Sequence, residues 1–95
     1  MQGDKIPYWL TIYQYDGSST WNIAQKFKLE DWGHSLSVYG DILVVGVPYA
    51  STSHVKVFNR VESKWEEGQT IKQDDVMFGW SVAIYGYHIV DTIWL

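Results

Sequence analysis

One stretch of the sequence occurs twice, and this recurrence limits the folds that are open to the chain. The first copy reads Trp-Gly-His-Ser-Leu-Ser-Val-Tyr-Gly from Trp32 to Gly40, and the second reads Phe-Gly-Trp-Ser-Val-Ala-Ile-Tyr-Gly from Phe78 to Gly86. Glycine, serine and tyrosine recur at a spacing of 46 residues. Self-similarity at a period of roughly 20–50 residues is typical of proteins built from stacked supersecondary units.

A second pair of positions repeats at nearly the same period. Trp21 and Gln25 recur as Trp65 and Gln69, 44 residues later. The difference of two residues fits a small insertion in the loop 73–77, because repeats vary in length at their loops. One unit therefore spans a four-strand pattern, and 95 residues hold about two such units.

The chain is predicted to be all-β. Short runs rich in aromatic and β-branched residues alternate with turn residues every 8–12 positions, which indicates antiparallel strands. No segment has a sustained helical stripe with a capped start. The predicted strands are Tyr8–Tyr15, Trp21–Lys28, Ser35–Tyr39, Ile42–Val45, His54–Val61, Trp65–Lys72, Ser81–Tyr85 and Tyr87–Leu95. The continuous apolar run from Ile42 to Val45 predicts a strand that is buried on both faces.

Composition excludes several classes of function. The net charge is −4 with no basic stripe, so a nucleic-acid backbone is not an expected partner. No apolar run approaches the ~18–20 residues of a membrane span. Cysteine is absent, which rules out disulfides and thiolate metal sites. Six Trp, seven Tyr and three Phe supply large side chains suited to filling the space between strands.

The polar residues do not form a recognisable catalytic or metal-binding motif. The three histidines, His34, His54 and His88, lack metal-ligand spacing. His34 aligns with Trp80 in the repeat, so it is interpreted as a strand-surface residue. Asp31, His34 and Ser35 are close in sequence, but catalytic triads converge from separate elements. The acidic pairs 66–67 and 74–75 are interpreted as solvated charges. We therefore predict no catalytic residue, no metal site and no cofactor.

The repeated stretch has residue types that suit a bend and a tight turn. A glycine after a large aromatic permits close approach of backbones. Gly40 and Gly86 each stand first in a predicted two-residue hairpin turn, which suits type II′. Pro48 ends its strand, because proline cannot donate to the ladder. The predicted structural-motif residues are Trp32, Gly33, Ser35, Gly40, Gly46, Pro48, Phe78, Gly79, Ser81 and Gly86.

These residues resemble the FG-GAP repeat of integrin α-chain-like β-propellers. Trp32-Gly33-x-Ser and Phe78-Gly79-x-Ser are similar to its Phe-Gly element, and Gly46-Val-Pro is similar to its Gly-Ala-Pro element. The second copy reads Val-Asp-Thr-Ile-Trp at 90–94, so it lacks the Gly-x-Pro closure. The Asp-rich loop of calcium-binding members also has no counterpart here, so the resemblance carries no calcium site onto this chain.

The resemblance implies a propeller that is incomplete within this chain. Residues 1–95 are expected to form one β-repeat domain of antiparallel four-stranded blade type. Within it, 8–28 would end a preceding blade, 33–72 would be a complete blade and 78–95 would start a following one. The expected partners are a protein ligand, the remaining blades of a propeller, or further copies of this chain in a homo-oligomer.

The function that the resemblance implies is non-catalytic binding or adhesion, and it suggests an extracellular or cell-surface location. No signal peptide is recognisable in the sequence, so the location is not fixed by the residues. The alternative function is a small carbohydrate-binding module that uses exposed aromatic rings. Trp9, Tyr49 and Trp94 have no clear repeat equivalents, so they are the candidate ligand-contact aromatics.

Overall fold

Eight antiparallel strands form the part of the chain that the structure describes. The computed structural model describes residues 8–73 and 77–92, and no helix occurs among them. The strands are β1 (Tyr8–Tyr15), β2 (Trp21–Leu29), β3 (Ser35–Tyr39), β4 (Ile42–Val47), β5 (His54–Val61), β6 (Lys64–Lys72), β7 (Ser81–Tyr85) and β8 (His88–Thr92). The all-β prediction is confirmed, and most strand ends agree with the sequence-based bounds within two residues.

The strands make three antiparallel sheets. β1 and β2 form the first sheet, β3-β4-β5-β6 form the central sheet in that order, and β7 and β8 form the third sheet. Every neighbouring pair is consecutive in the chain, because two-residue or short turns are sufficient to join antiparallel strands. β8 begins at His88, one residue later than predicted, since Tyr87 lies in the turn. The predicted strand residues 93–95, including Trp94, lie outside the described residues.

The third sheet repeats the register of β3 and β4. Ser35 pairs with Gly46 and Tyr39 pairs with Ile42, while the residues 46 positions later pair in the same way, from Ser81 with Thr92 to Tyr85 with His88. Gly40 has a φ of 58° and Gly86 has a φ of 60°. Both values fit the predicted type II′ turn, whose first central residue needs a positive φ.

The first sheet repeats the register of β5 and β6, including a β-bulge. Leu10 pairs with Phe27 as Val55 pairs with Ile71. In each pair of strands the register slips by one residue at the corresponding place, as a bulge does when one strand contributes an extra residue. The offset is therefore 45 residues from β1 to β5 and 44 residues from β2 to β6. At these offsets Tyr13 is the repeat equivalent of Phe58.

The two outer sheets pack on opposite faces of the central sheet. The cluster on the first face joins Leu10 and Leu29 to central-sheet residues around the fully buried Phe58, and the Phe27 ring lies 4.9 Å from the Phe58 ring. The cluster on the second face joins Phe78, Val82 and Ile84 to Val44, Val55 and Val57. β4 contributes to both clusters, which confirms that it is buried on both faces. Burying one such side chain contributes about 1.5–3 kcal/mol.

Polar side chains also join the sheets. The Gln25 amide donates to the Trp65 carbonyl at 2.9 Å, and its oxygen accepts from the Trp65 N–H at 2.8 Å. Ser35 Oγ accepts from the Val82 N–H and Ser37 Oγ accepts from the Ile84 N–H, both at 3.2 Å. These bonds satisfy backbone groups on the facing strands and fix how the sheets are aligned along the strand direction.

Two turns at one end of the sheets are distinctive: one is held by an aspartate side chain, and the other has two non-glycine residues with positive φ. Asp16 Oδ1 accepts hydrogen bonds from the backbone N–H groups of Ser18, Ser19 and Thr20, and these bonds lower the pKa of Asp16 to about 2. The β5–β6 turn consists of Glu62 and Ser63, which have φ values of 50° and 71°. Positive φ at both central residues defines a type I′ turn, which normally favours Asn and Gly.

Candidate functional site

Four rings gather at the end of the sheets opposite those turns. Trp32 and His34 precede β3, Tyr49 follows β4, and Trp80 precedes β7. Because β3 and β4 are antiparallel, the start of one strand and the end of the other lie at the same edge. β7 stands beside β3, so its own start is at this edge too. We call these four residues the aromatic cluster.

The rings of the aromatic cluster stack in two layers. His34 stacks on Trp80 with a centroid distance of 4.1 Å and an interplanar angle of 29°. Trp32 and Tyr49 are nearly parallel, at 5.9 Å and 8°. The His34 ring is edge-on to Trp32 at 5.2 Å and to Tyr49 at 6.1 Å. Edge-to-face and stacked geometries are the favourable ones for aromatic pairs, so the cluster is internally packed.

Hydrogen bonds fix the orientation of the His34 ring at the centre of the cluster. Nδ1 of the His34 ring lies 2.8 Å from the Trp80 carbonyl oxygen. The backbone N–H of His34 donates to the Gly46 carbonyl at 2.9 Å. A carbonyl oxygen only accepts, so Nδ1 of His34 carries a proton. The sequence interpretation placed His34 on a strand surface, whereas the structure places it half-buried between two sheets.

Exposure divides the cluster into two half-buried supporting rings and two exposed rings. His34 and Trp80 are half-buried, while Trp32 and Tyr49 are exposed at 52% and 43%. The support residues therefore hold two rigid aromatic rings that remain accessible to solvent. Rigid aromatic side chains supply large contact area at low conformational-entropy cost, which suits recognition of a protein or a sugar.

An apolar cleft of about 340 Å³ adjoins the cluster between β1 and β3, and its lining includes Trp9, Trp32, Leu36 and Val45. Lys26 Nζ lies 4.5 Å from the centroid of the Trp9 ring, which is within cation–π range. The predicted contact aromatics Trp9 and Tyr49 thus both lie at this end of the molecule. Trp94 lies outside the described residues.

The predicted structural-motif residues divide between the two ends. Ser35, Gly46 and Gly79 come together: Ser35 Oγ lies 3.4 Å from the Gly79 carbonyl oxygen, and that oxygen occupies the space where a Gly46 side chain would be. Pro48 is buried, and its carbonyl accepts from Ser53 Oγ at 2.7 Å.

The remaining motif residues are more varied in their surroundings. Phe78 is buried in the cluster between the central and third sheets, whereas its equivalent Trp32 is exposed and Ser81 is exposed on β7. Gly40 and Gly86 lie in the turns at the far end from the aromatic cluster.

Two further clefts are polar. One of about 270 Å³ lies between β2 and the β5–β6 pair, and its lining includes Lys56, whose Nζ lies 3.2 Å from Glu67, and His54, whose Nδ1 lies 3.7 Å from Glu30. The other, of about 510 Å³, is bordered by Arg60, whose guanidinium contacts Asp41 at 2.8 Å. Within residues 8–73 and 77–92, no three His, Asp or Glu side chains are grouped so that they could hold a metal ion.

Sequence reasoning missed part of the cluster. His34 and Trp80 are repeat equivalents, and the spacing of 46 residues was the available signal that their rings stack. Trp32 was predicted only as a structural-motif residue, because the position of Tyr49 beside it depends on the loop after β4. The described residues contain no helix that is long and apolar enough to cross a membrane.

Comparisons with protein-family models, with curated proteins and with solved structures find no match to this chain.

Proposed function

We propose that this chain is a non-catalytic binding module built from β-propeller blades of the FG-GAP type. In this proposal the central sheet is one complete four-stranded blade, and the first and third sheets are parts of the blades before and after it. The chain would then act in recognition or adhesion at a cell surface, as the resemblance of its motifs implies. The aromatic cluster would be the contact surface.

The observation that carries the proposal is that repeat-equivalent residues face one another across the sheets. His34 stacks on Trp80, and Tyr39 lies edge-on to Tyr85 at 5.0 Å. Blades related by rotation about a common axis bring the same inner-strand positions side by side, which is the arrangement expected in a propeller. An unrelated pair of sheets has no reason to align its equivalents in this way.

The glycines of the motif support the same arrangement. Gly46 belongs to the Gly-x-Pro element of one unit, and Gly79 belongs to the Phe-Gly element of the next. The Gly79 carbonyl approaches Gly46 so closely that no side chain fits between them. Both elements therefore have one physical role, which is to let neighbouring blades approach at their inner strands.

The contact surface can be tested with single substitutions. The Trp32→Ala variant removes an exposed ring of the cluster, and Tyr87→Ala removes a ring that is 97% exposed in the turn at the opposite end. We expect surface plasmon resonance against purified extracellular matrix and cell-surface proteins to show a ligand whose affinity falls at least roughly tenfold in Trp32→Ala, as for a loss of at least ~1.4 kcal/mol. The Tyr87→Ala variant should bind as the unchanged chain does.

The proposal also predicts that a chelator leaves binding unchanged, because no Asp-rich calcium loop is present in the sequence. Equal loss of affinity in both variants would contradict the assigned surface. If none of the matrix and cell-surface proteins is bound, the adhesion role is wrong.

The parallel Trp32–Tyr49 pair favours one alternative, a carbohydrate-binding module. Sugar rings bind on exposed aromatic faces, and two parallel rings offer such a surface. A tryptophan-fluorescence titration with a glycan panel separates the two functions. A saturable change that is lost in Trp32→Ala and in Tyr49→Ala would favour the sugar, and no response to any glycan would exclude it.

A further inference from the structure

We propose that copies of this chain join head to tail, with β8 of one copy pairing antiparallel with β1 of the next. β7 and β8 of the first copy and β1 and β2 of the second would then form a four-stranded sheet in the same order as the central sheet. The proposal shares the blade arrangement with the proposed function but does not depend on any ligand.

The internal repeat specifies the register of this contact. β7–β8 reproduces β3–β4 at an offset of 46 residues, and β1–β2 reproduces β5–β6 at offsets of 45 and 44. The observed β4–β5 pairing can therefore be transferred to β8 and β1. The pairs transferred in this way, first copy before second, are His88 with Gln14, Ile89 with Tyr13, Val90 with Ile12, Asp91 with Thr11 and Thr92 with Leu10.

β8 and β1 expose to solvent large apolar residues whose repeat equivalents are buried in the central sheet. Val44 is 0% exposed in the central sheet, whereas its equivalent Val90 is 60% exposed. Phe58 is 0% exposed, whereas its equivalent Tyr13 is 56% exposed. Large apolar residues at positions that face solvent mark a surface for association. Assembly would bury Val90 and Tyr13 as Val44 and Phe58 are buried inside one copy.

Within the described residues, the third sheet ends at β8 and the first sheet ends at β1, since β8 pairs with β7 alone and β1 pairs with β2 alone. An unpaired edge presents a row of free N–H and C=O groups, which is a template for another strand. Addition of a strand to such an edge gives affinity through main-chain bonds and specificity through the side chains.

The outer face of the first sheet is complementary to the central sheet of the preceding copy. Trp21 is 64% exposed on this face, whereas its equivalent Trp65 is half-buried beneath the first sheet. In the head-to-tail contact, Trp21 of the second copy would pack on the face of the first copy's central sheet that carries Val57 and Ile71. This contact would cover the side of the second copy's first sheet on which the aromatic residues face solvent.

A specific polar bond accompanies this packing. Within one copy, the Gln25 side chain forms hydrogen bonds with both the backbone carbonyl and the backbone N–H of Trp65. Its repeat equivalent, Gln69, is exposed, and the equivalent of Trp65 is Trp21. In the proposed contact the Gln69 amide would therefore clamp the backbone of Trp21 of the second copy in the same way.

The contact is heterologous, because it joins two different edges. Heterologous contacts generate rings when the rotation closes. Each copy supplies the strands of two sheets, so closed rings contain an even number of sheets. Two to four copies would give the about four to eight blades that propellers have.

Cysteine cross-linking tests the register, since the chain has no cysteine of its own. Ile89→Cys in one copy should face Tyr13→Cys in another, and directly opposed strand residues are close enough for a disulfide. We expect a mixture of these two variants to give a covalent heterodimer under mild oxidation. The control mixture of Ile89→Cys with Tyr15→Cys lies two residues out of register and should not cross-link efficiently. Equal cross-linking in both mixtures, or none in either, would overturn the proposal.

Sedimentation of the intact chain gives a second test that needs no cysteine. The unchanged chain should sediment at two to four times its mass of 11.0 kDa. The Val90→Lys variant places a charge at the proposed contact and should be monomeric, whereas Tyr87→Lys in the adjacent turn should assemble normally. Gln69→Ala should weaken assembly at least roughly fivefold, as expected for the loss of ~1 kcal/mol in hydrogen bonds. A chain that is monomeric at every concentration up to millimolar would refute the self-pairing, and ligand binding through Trp32 by that monomer would leave the proposed function standing.

Discussion

Replacing Gly46 by alanine tests how closely the central and third sheets must approach. A Cβ at this position would overlap the Gly79 carbonyl oxygen, and it would lie 2.8 Å from the carbonyl carbon and 3.0 Å from Ser35 Oγ. The nearest atoms belong to backbone, which cannot rotate aside as the end of a side chain can. The third sheet must therefore move away from β4 by about an ångström, since interiors packed at native density have no spare space.

The magnitude follows from what this movement disturbs. Forcing an extra carbon into a close-packed region costs about 1–3 kcal/mol. The same shift stretches the bonds from Ser35 and Ser37 to the third sheet, which are already 3.2 Å long, and each such bond is worth about 0.5–1.5 kcal/mol. We expect Gly46→Ala to lower the free energy of unfolding by about 2–4 kcal/mol. For a domain of this size that loss corresponds to a decrease in Tm of roughly 8–30 °C.

Urea denaturation followed by circular dichroism measures this effect, and Gly33→Ala is the matched control. A Cβ on Gly33 would meet only the side-chain carbons Leu29 Cδ1 at 3.0 Å and Val45 Cγ1 at 3.2 Å, and small rotations of these groups relieve the contact. The control should lose less than about 1 kcal/mol. If Gly46→Ala is as stable as Gly33→Ala, the close approach of the two sheets is wrong.

Two further substitutions test the turns at the other end. The Ser63→Gly variant should raise the free energy of unfolding by about 0.5–1 kcal/mol in urea denaturation, because glycine relieves the cost of a positive φ at this position while adding chain entropy to the unfolded state; Ser51→Gly in an exposed loop should give no gain. Asp16→Ala should be less stable than the unchanged chain at pH 7. Since the folded pKa of Asp16 is lowered from 3.8 to about 2, this difference should be full above about pH 4 and disappear as the pH falls to 2, and a difference that is independent of pH would contradict the assignment.

The strands could be predicted from sequence because turn residues separate short runs of aromatic and β-branched residues. The apolar run beginning at Ile42 marks β4, which is buried on both faces. The β-bulges could not be predicted, because Ala24 and Gly68, which are equivalent in the two bulged strands, share no distinctive chemistry.

The candidate site was less predictable than the fold because loop geometry assembles it. Tyr49 was identified as a possible contact residue, but its stacking on Trp32 depends on how the chain turns after β4. The equivalence of His34 and Trp80 was visible in the sequence, and His34 was interpreted from it as a strand-surface residue. The structure shows instead that equivalent positions in successive units touch, which no comparison of single positions reveals.

The central sheet is one whole repeat unit, whereas β1–β2 correspond to the last two strands of a unit and β7–β8 to the first two. The connections 30–34 and 73–80 each join two sheets. Gene duplication or loss of one whole unit would therefore lengthen or shorten the array by one sheet while leaving both terminal edges chemically unchanged. The number of units in such a protein can therefore change during evolution while the strands at its two edges stay the same.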